Sequence, residues 1–293
     1  MILPDFILTT RQNKIWSESG MDSLRECFNK KHFKNYPYQI SYNYNSRGFR
    51  DEEWPQSIEE LRQAVWCFGD SFTVGIGSPI NHTWVNILQS KLNRRCINVS
   101  MDGASNQWIT RKVLRVLEEI KPKEVCIQWS FLHRDESLDD SLSDECRRLF
   151  FNINNLTQDL DDKFNQLFNS IEYAKNTVNL YYSKIPNSGI YSKQDKLNQK
   201  IIYKWNNLKG SDWPGIDFFS DSDKLSKNIH EELRQFNFDY FELYKKWSSY
   251  NCFDKIMPVT QIDYARDYFH YDKLTAERFV NDLVDLIVTK TAI

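Results

Sequence analysis

The chain has 293 residues, of which 41% are hydrophobic and 15% aromatic, enough for one large α/β domain with its own core. A net charge of −2 and a mean hydropathy of −0.62 exclude the basic footprint of a nucleic-acid binder and favour a protein in solution. No apolar run approaches the length of a membrane span, and the N-terminus lacks the basic and apolar regions of a secretory signal. We therefore expect no nucleic-acid partner, no membrane span and a cytoplasmic location.

The six cysteines and five histidines do not show the spacing of a metal site. There is no Cys-x-x-Cys pair, and no two histidines stand four residues apart. Three cysteines, Cys67, Cys96 and Cys126, lie in short apolar runs and are expected to be buried, reduced thiols. The sequence therefore predicts no metal and no other cofactor.

Residues 1–60 are predicted to form an N-terminal extension that packs on the core. Within it, 21–29 is a candidate helix, and the Asn-, Ser- and Gly-containing segment 42–51 indicates a turn of defined backbone geometry. A short basic cluster at 30–34 is expected to be a solvated surface.

From residue 61 the pattern alternates between short apolar runs and amphipathic segments. The predicted strands are 64–68, 96–99 and 124–129, and the predicted helices are 83–92 and 106–120. Such alternation is typical of βαβ units, whose parallel sheet is covered by helices on both faces.

The stretch from about 135 to 250 differs in composition, being rich in Asn, Asp, Lys and aromatic residues. Two candidate helices, 160–181 and 225–247, carry apolar residues at helical spacing. We therefore predict a helical insertion at about 135–250 within a domain that spans 61–293. A last strand at 255–259 and a C-terminal helix at 274–288 complete the pattern.

Ser71 is the strongest candidate for chemistry, because it directly follows the first predicted strand in a Gly-Asp-Ser turn. Parallel sheets place their sites where strands end. A serine hydroxyl needs a base to accept its proton, and the base needs a third group to orient it. Asp267 and His270 have the spacing for these roles, since a carboxylate three residues before an imidazole can fold back onto it. Taken alone, either segment could also be an ordinary helix cap or a surface loop.

Three blocks together resemble the SGNH hydrolases, also called the GDSL esterase/lipase family. They are 68–75 with its Gly-Asp-Ser, 98–106 with Gly103, and Asp267-x-x-His270 before the final helix. The segment 45–50 is also similar to a stretch that precedes the first block in some branches. With the strand order, this resemblance predicts an α/β fold: a three-layer α/β/α flavodoxin-like sandwich with a central parallel sheet, plus the helical insertion.

The resemblance implies a role for each matched residue. Ser71 would attack an ester carbonyl, His270 would act as general base and then as general acid, and Asp267 would orient His270. The backbone N–H groups of Ser71 and Gly103 would donate to the oxyanion.

One block departs from the family pattern. The Gly-x-Asn-Asp expected after the third strand is replaced by 128–134, which contains no Asn. Asn106 and Ser130 are the first candidates for the missing oxyanion donor, and His133 and Arg134 are alternatives. Further candidate substrate contacts are Asp70, His133 and Arg134.

The expected function is therefore a serine hydrolase that cleaves a short-chain carboxylic ester, such as an O-acetyl group on a glycan, through an acyl-enzyme. Two alternatives stay open. The same triad would serve an O-acyltransferase, and the missing Asn would also suit a catalytically retired carbohydrate-binding module. The expected partner is a small-molecule or glycan ester, and the sequence does not define an oligomeric state.

Overall fold

The computed structural model describes residues 2–130, 169, 173–174, 177–184, 187–188 and 260–291. The strands are β1 (Ile15–Trp16), β2 (Tyr42–Asn43), β3 (Val65–Gly69), β4 (Cys96–Ser100), β5 (Glu124–Trp129), β6 (Asn179–Lys184), β7 (Asn187–Ser188) and β8 (Thr260–Gln261). The helices are α1 (Lys30–Asn35), α2 (Ile58–Gln63), α3 (Ser71–Val74), α4 (Trp84–Leu92), α5 (Asn106–Glu119) and α6 (Lys273–Thr291), with a 3₁₀ turn at Ile80–His82.

A four-stranded parallel sheet lies at the centre, with its strands in the order β4-β3-β5-β6. Every residue of β3 is buried, as expected for a parallel sheet covered on both faces. One face packs against α5 and the N-terminal extension, and the other against α4 and α6. The structure thus has the predicted three-layer α/β/α arrangement, with the strand order of flavodoxin-like sheets.

The strand order reverses at β3, which lies between β4 and β5. The register pairs Phe68 with both Val99 and Ile127, so the three strands finish at the same edge of the sheet. Open α/β sheets bind ligands outside the carboxyl ends of their strands at such a reversal. Ser71, Gly103 and Ser130 follow the three strands and are thereby brought to one edge.

The βαβ elements predicted between 64 and 129 are confirmed, with ends that differ by no more than one residue. Capping explains the agreement for the helices. The Thr83 side chain accepts from the Asn86 N–H at the start of α4, and that of Ser105 accepts from the Trp108 N–H at the start of α5. The C-terminal helix is also present, as α6.

The helix predicted at 21–29 is wrong, because the chain there forms turns and α1 begins only after Asn29. The Asn29 side chain accepts from the His32 N–H at 3.0 Å and caps that later helix. Asp22 is drawn into the protein interior by bonds to Arg266 and Tyr42. These tertiary bonds outweigh the local helical pattern.

The end of the helix predicted at 160–181 is also wrong, because 179–181 belongs to strand β6. Leu180 and Tyr181 enter the cores on opposite faces of the sheet. A short apolar run of this kind fits a helix or a buried strand equally well by periodicity. The other predicted helix of the insertion and the predicted strand at 255–259 lie outside the described residues, and the domain boundaries stay predictions.

Cys67, Cys96 and Cys126 are buried free thiols, as expected from the sequence. Burial raises the pKa of Cys67 well above its ordinary value, so this thiol stays neutral. In the described ranges, no helix combines the length and the apolar character needed to cross a bilayer.

Candidate active site

The nucleophile candidate is presented by a tight strand-to-helix turn. Asp70 caps α3 by accepting from the Phe72 N–H at 3.0 Å, and Ser71 is the first residue of that helix. A Cβ on Gly69 would lie 2.0 Å from Thr73 Oγ1, so α3 sits closer to the end of β3 than any other residue would allow. The turn therefore places the Ser71 hydroxyl at the carboxyl edge of the sheet.

A continuous chain of hydrogen bonds joins the three residues of the predicted triad. His270 Nε2 lies 2.8 Å from Ser71 Oγ, and His270 Nδ1 lies 2.5 Å from Asp267 Oδ2. The second carboxylate oxygen, Asp267 Oδ1, accepts from the backbone N–H groups of Phe269 and His270 at 3.0 and 3.1 Å. All three side chains are buried. With the Nδ1 proton held by Asp267, Nε2 is the nitrogen available to accept the Ser71 proton.

The surroundings of His270 favour its protonated form. Burial alone would lower the pKa of the imidazole, but the charge of Asp267 and its hydrogen bond outweigh burial and raise that pKa. The charges of Asp102 and Asp70 act in the same direction. An imidazole with a raised pKa is a stronger proton acceptor, which suits a base that must deprotonate a hydroxyl.

The loop that carries Asp267 and His270 is closed at its base. Asp263 accepts from the N–H groups of the first turn of α6, including that of Leu274 at 2.7 Å. Inside the loop, the Ala265 N–H donates to the His270 carbonyl at 2.8 Å. These bonds fold the chain back so that Asp267 faces the ring of His270.

Arg50, which the sequence did not single out by role, holds the other end of α3. Its buried guanidinium donates to the carbonyls of Val74, Gly75 and Ser78 at 3.1, 2.6 and 2.8 Å. The last carbonyls of a helix have no partner within it, and a cation there satisfies them. The resemblance of segment 45–50 was a signal that this region matters, but the partners of Arg50 required the structure.

The resemblance implies two backbone N–H groups as oxyanion donors, those of Ser71 and Gly103. The Ser71 N–H opens α3 and so has no acceptor within that helix. Gly103 is buried and takes a φ of +76°, in a turn closed by the Ala104 N–H on the Met101 carbonyl at 3.0 Å. A positive φ of this kind favours glycine.

The two side chains first suggested as substitutes for the missing Asn have partners within the protein: the Asn106 amide bonds to the backbone of Ser130, and the Ser130 hydroxyl bonds to Asp70. Asn106 Oδ1 accepts from the Ser130 N–H at 2.8 Å, and Asn106 Nδ2 donates to the Ser130 carbonyl at 3.1 Å. The Ser130 hydroxyl donates its single proton to Asp70 Oδ2 at 2.7 Å. These bonds argue for a structural role of Asn106 and Ser130 at the end of β5.

Among the remaining predicted site residues, Asp70 has a supporting role. Asp70 is fully buried, and its two carboxylate oxygens are used by the Phe72 N–H and the Ser130 hydroxyl. This argues against the substrate contact suggested from the sequence. His133 and Arg134 lie outside the described residues. Within the described ranges, no three His, Cys, Asp or Glu side chains group together as a metal site.

No family model and no curated protein matches the sequence. Similar solved structures include a member of the lipolytic protein G-D-S-L family from Veillonella parvula, at 15% identity and a TM-score of 0.37, covering 77% of this chain and 98% of that chain. A lipolytic protein of the G-D-S-L family from Desulfitobacterium hafniense has 14% identity and a TM-score of 0.36, covering 75% and 99%. An acetyl xylan esterase has 14% identity and a TM-score of 0.34, covering 76% and 99%.

Likeness at such identities and scores establishes no activity for this chain. Its own fold and site define a three-layer α/β/α protein with a Ser–His–Asp hydrogen-bonded chain at the carboxyl edge of a parallel sheet. Ser71, Gly103, Asp267 and His270 follow one another in the block order of the SGNH hydrolases that the sequence resembles.

Proposed function

We propose that this protein is a serine hydrolase of the SGNH type that cleaves a short-chain carboxylic ester. The observation that carries the proposal is the continuous chain of hydrogen bonds from Asp267 through His270 to Ser71. A buried serine, a base within reach of it and a carboxylate that orients the base are the parts that nucleophilic catalysis by a hydroxyl requires.

The reaction would run through an acyl-enzyme. Ser71 Oγ attacks the ester carbonyl while His270 Nε2 takes its proton, and Asp267 stabilises the imidazolium that forms. The N–H groups of Ser71 and Gly103 donate to the oxyanion. The tetrahedral intermediate then expels the alcohol, which receives the proton from His270.

Water completes the cycle. His270 takes a proton from the water molecule as its oxygen attacks the acyl carbon on Ser71. Collapse of the second intermediate breaks the bond to Ser71 Oγ, which recovers its proton from His270, and the carboxylic acid leaves.

The burial of the site favours a small acyl group. Ser71 and His270 are each 2% exposed, and the Phe72 ring centre lies 4.5 Å from that of the imidazole. An acetyl group fits such a setting better than a long chain. We keep an O-acetylated glycan as the favoured natural substrate, on the expectation from the sequence.

The same burial makes O-acyl transfer the second candidate. A transferase would use the same three residues and pass the acyl group to a sugar hydroxyl in place of water. Product analysis with an acetyl donor and a glycan acceptor separates the two, since a transferase makes the acetylated glycan and a hydrolase makes acetate. The intact hydrogen-bonded chain opposes a retired binding module.

Turnover of p-nitrophenyl acetate tests the assignment of Ser71. We expect Ser71→Ala to lower kcat by on the order of 10⁴–10⁶, because the nucleophile is lost. A fluorophosphonate probe should label the folded wild-type protein at Ser71 and leave the variant unlabelled. Ser90→Ala is the matched control, since Ser90 is an exposed serine of α4 whose hydroxyl donates to the Asn86 carbonyl. Equal turnover by wild type and Ser71→Ala would sink the proposal.

A further inference from the structure

We propose that the Asp22–Arg266 ion pair positions Asp267 and His270 against Ser71, so that the N-terminal extension is part of the architecture of the active site. This inference rests on the function proposed above and names positioning residues for the same site. Neither member of the pair was singled out by the sequence.

The ion pair is largely buried, and two hydrogen bonds join its guanidinium to its carboxylate. Arg266 Nε lies 2.7 Å from Asp22 Oδ1, and Arg266 Nη2 lies 2.7 Å from Asp22 Oδ2. The Asp22 side chain is fully buried and that of Arg266 is 13% exposed. The guanidinium also donates to the Ser17 carbonyl at 2.6 Å and lies 4.7 Å from the centre of the Phe33 ring. Two-point contacts of this kind fix orientation as well as distance.

A ring of hydrogen bonds connects this pair to the loop that follows the nucleophile. The Tyr42 hydroxyl donates to Asp22 Oδ2 and accepts from the Gly77 N–H at 2.7 Å. The Gly77 carbonyl accepts from the Arg266 N–H at 2.8 Å, which closes the ring. Four residues thus join three segments: the N-terminal extension, the loop after α3, and the loop of Asp267 and His270.

The ring touches the triad at two places. Arg266 directly precedes Asp267 in the chain, so an anchored Arg266 sets where that carboxylate begins. Gly77 has a φ of +80°, and a Cβ there would lie 3.0 Å from Asp267 Oδ1 and 2.8 Å from the Ala265 Cβ. The Gly77 backbone therefore lies beside the carboxylate and leaves no room for a side chain between them.

The same loop is tied to the nucleophile. The N–H groups of Gly75 and Ile76 donate to the Ser71 carbonyl at 3.0 and 3.1 Å, and Gly77 follows at once. The N-terminal extension thus holds the loop of Asp267 and His270 to the segment that begins at Ser71. A misplacement of about 1 Å between reacting groups can cost on the order of 10² in rate.

The turn that carries Asp22 also lies close to Gly103, whose N–H is a proposed oxyanion donor. A Cβ on Gly20 would lie 2.8 Å from Asp102 Oδ2, and Asp102 directly precedes Gly103. The charged groups that act on His270 are Asp267, Asp102 and Asp70. The turn that contains Gly20 and Asp22 thus lies beside Asp102, which precedes Gly103, and is bonded to Arg266, which precedes Asp267.

Asp22→Asn and Arg266→Gln test the inference, with Glu124→Gln as the matched control. Glu124 is a buried carboxylate that forms an ion pair with the partly exposed Arg94 at the start of β5, the end of the sheet opposite to the site. In folded protein, we expect each ring variant to lower kcat for p-nitrophenyl acetate by on the order of 10², with a smaller change in KM. The control should lower the thermal midpoint and keep kcat. An equal loss of kcat in the control would overturn the inference.

The pKa of His270 separates positioning from a simple charge effect. It is measured by NMR of labelled histidines, with the signal assigned by its loss in His270→Gln. A loosened Asp267–His270 contact lowers this pKa in both variants, because Asp267 is what raises it. A charge effect alone gives opposite signs, since losing a carboxylate lowers the pKa and losing a guanidinium raises it. Opposite signs, or unchanged values in folded variants, would overturn the inference.

Tyr42→Phe provides a second test of the positioning role if Asp22→Asn or Arg266→Gln fails to fold. It removes the hydroxyl that links Asp22 to the Gly77 N–H and retains both charges and the aromatic ring, and we expect it to lower kcat and the pKa of His270. The NMR titration needs no turnover. A wild-type protein that hydrolyses no ester would refute the proposed function, while the His270 titrations would still decide the inference.

Discussion

Around the Ser71 hydroxyl, the base side and the oxyanion side are held by different kinds of group. On the base side, the side chains of His270 and Asp267 point at each other and at Ser71, over distances of 2.8 and 2.5 Å. On the oxyanion side, the Asn106 amide bonds to the backbone of Ser130, and the Ser130 hydroxyl bonds to Asp70. Under the proposed function, we therefore expect proton transfer to rely on side chains and oxyanion stabilisation to rely on backbone N–H groups.

The largest effect is expected on the base side, from Asp267→Asn. An amide in this place can hold the wrong tautomer of His270 and leaves the imidazolium without its counter-charge. We expect kcat for p-nitrophenyl acetate to fall by on the order of 10⁴, the loss typical of this change in a Ser-His-Asp triad. Glu124→Gln serves again as the control for losing a buried carboxylate. A loss below tenfold would mean that Asp267 does not orient the base.

A much smaller effect is expected on the oxyanion side, from Ser130→Ala. Removing a true oxyanion donor costs on the order of 10²–10³ in kcat. Because the Ser130 hydroxyl donates to Asp70, we expect a loss below about tenfold, together with a lower thermal midpoint. Measured kcat values for Ser130→Ala and Ser90→Ala decide the point. A loss near 10³ with unchanged stability would make Ser130 an oxyanion donor and reverse the comparison.

The smallest effect is a displacement of the pH profile. His270 must be neutral to accept the Ser71 proton, so kcat/KM rises with pH through the pKa of His270 in the free enzyme. That pKa is raised from its ordinary value of 6.5, and we expect the midpoint of the acid limb above 6.5 for p-nitrophenyl acetate. A midpoint at or below 6.5 would show that burial outweighs Asp267 and would weaken the electrostatic account of the base side.

The raised pKa of His270 also makes its contribution to the unfolding free energy depend on pH. A histidine with a raised pKa in the folded state stabilises the fold at low pH. That contribution is fully present below the unfolded pKa and is lost as the pH rises through the folded pKa. His270→Gln removes this contribution. We therefore expect the variant to lose more unfolding free energy, relative to wild type, in mildly acidic solution than in mildly alkaline solution.

The candidate triad could be predicted because its segments stand in the block order of the SGNH hydrolases that the sequence resembles. Ser71 follows a five-residue buried strand, and Asp267 stands one turn before His270 at the start of a helix. Asp22 and Arg50 lie in irregular segments, where charged residues show no periodicity. The partner of Asp22 lies 244 residues further on, a separation that no local pattern reports.

The contrast between local patterns and distant partners also explains which helices and strands could be predicted from the sequence. The strands and helices between residues 64 and 129 follow from apolar periodicity and from the caps at Thr83 and Ser105. The helices expected at 21–29 and through 181 failed where a tertiary partner decided the conformation: bonds to Arg266 in one case and a place beside β5 in the other.

The sequence by itself determined the α/β class and the βαβ core, because these depend on period and cap along a short stretch of chain. The three residues of the hydrogen-bonded chain followed from the order of the sequence blocks that resemble the SGNH hydrolases. Only the tertiary structure decided that Asn106 and Ser130 bond to each other and that the N-terminal extension reaches the triad loop through Asp22 and Arg266. Hydrogen-bond and charge partners are chosen by proximity in the folded protein. That proximity arises only after the sheet has brought distant segments to one edge.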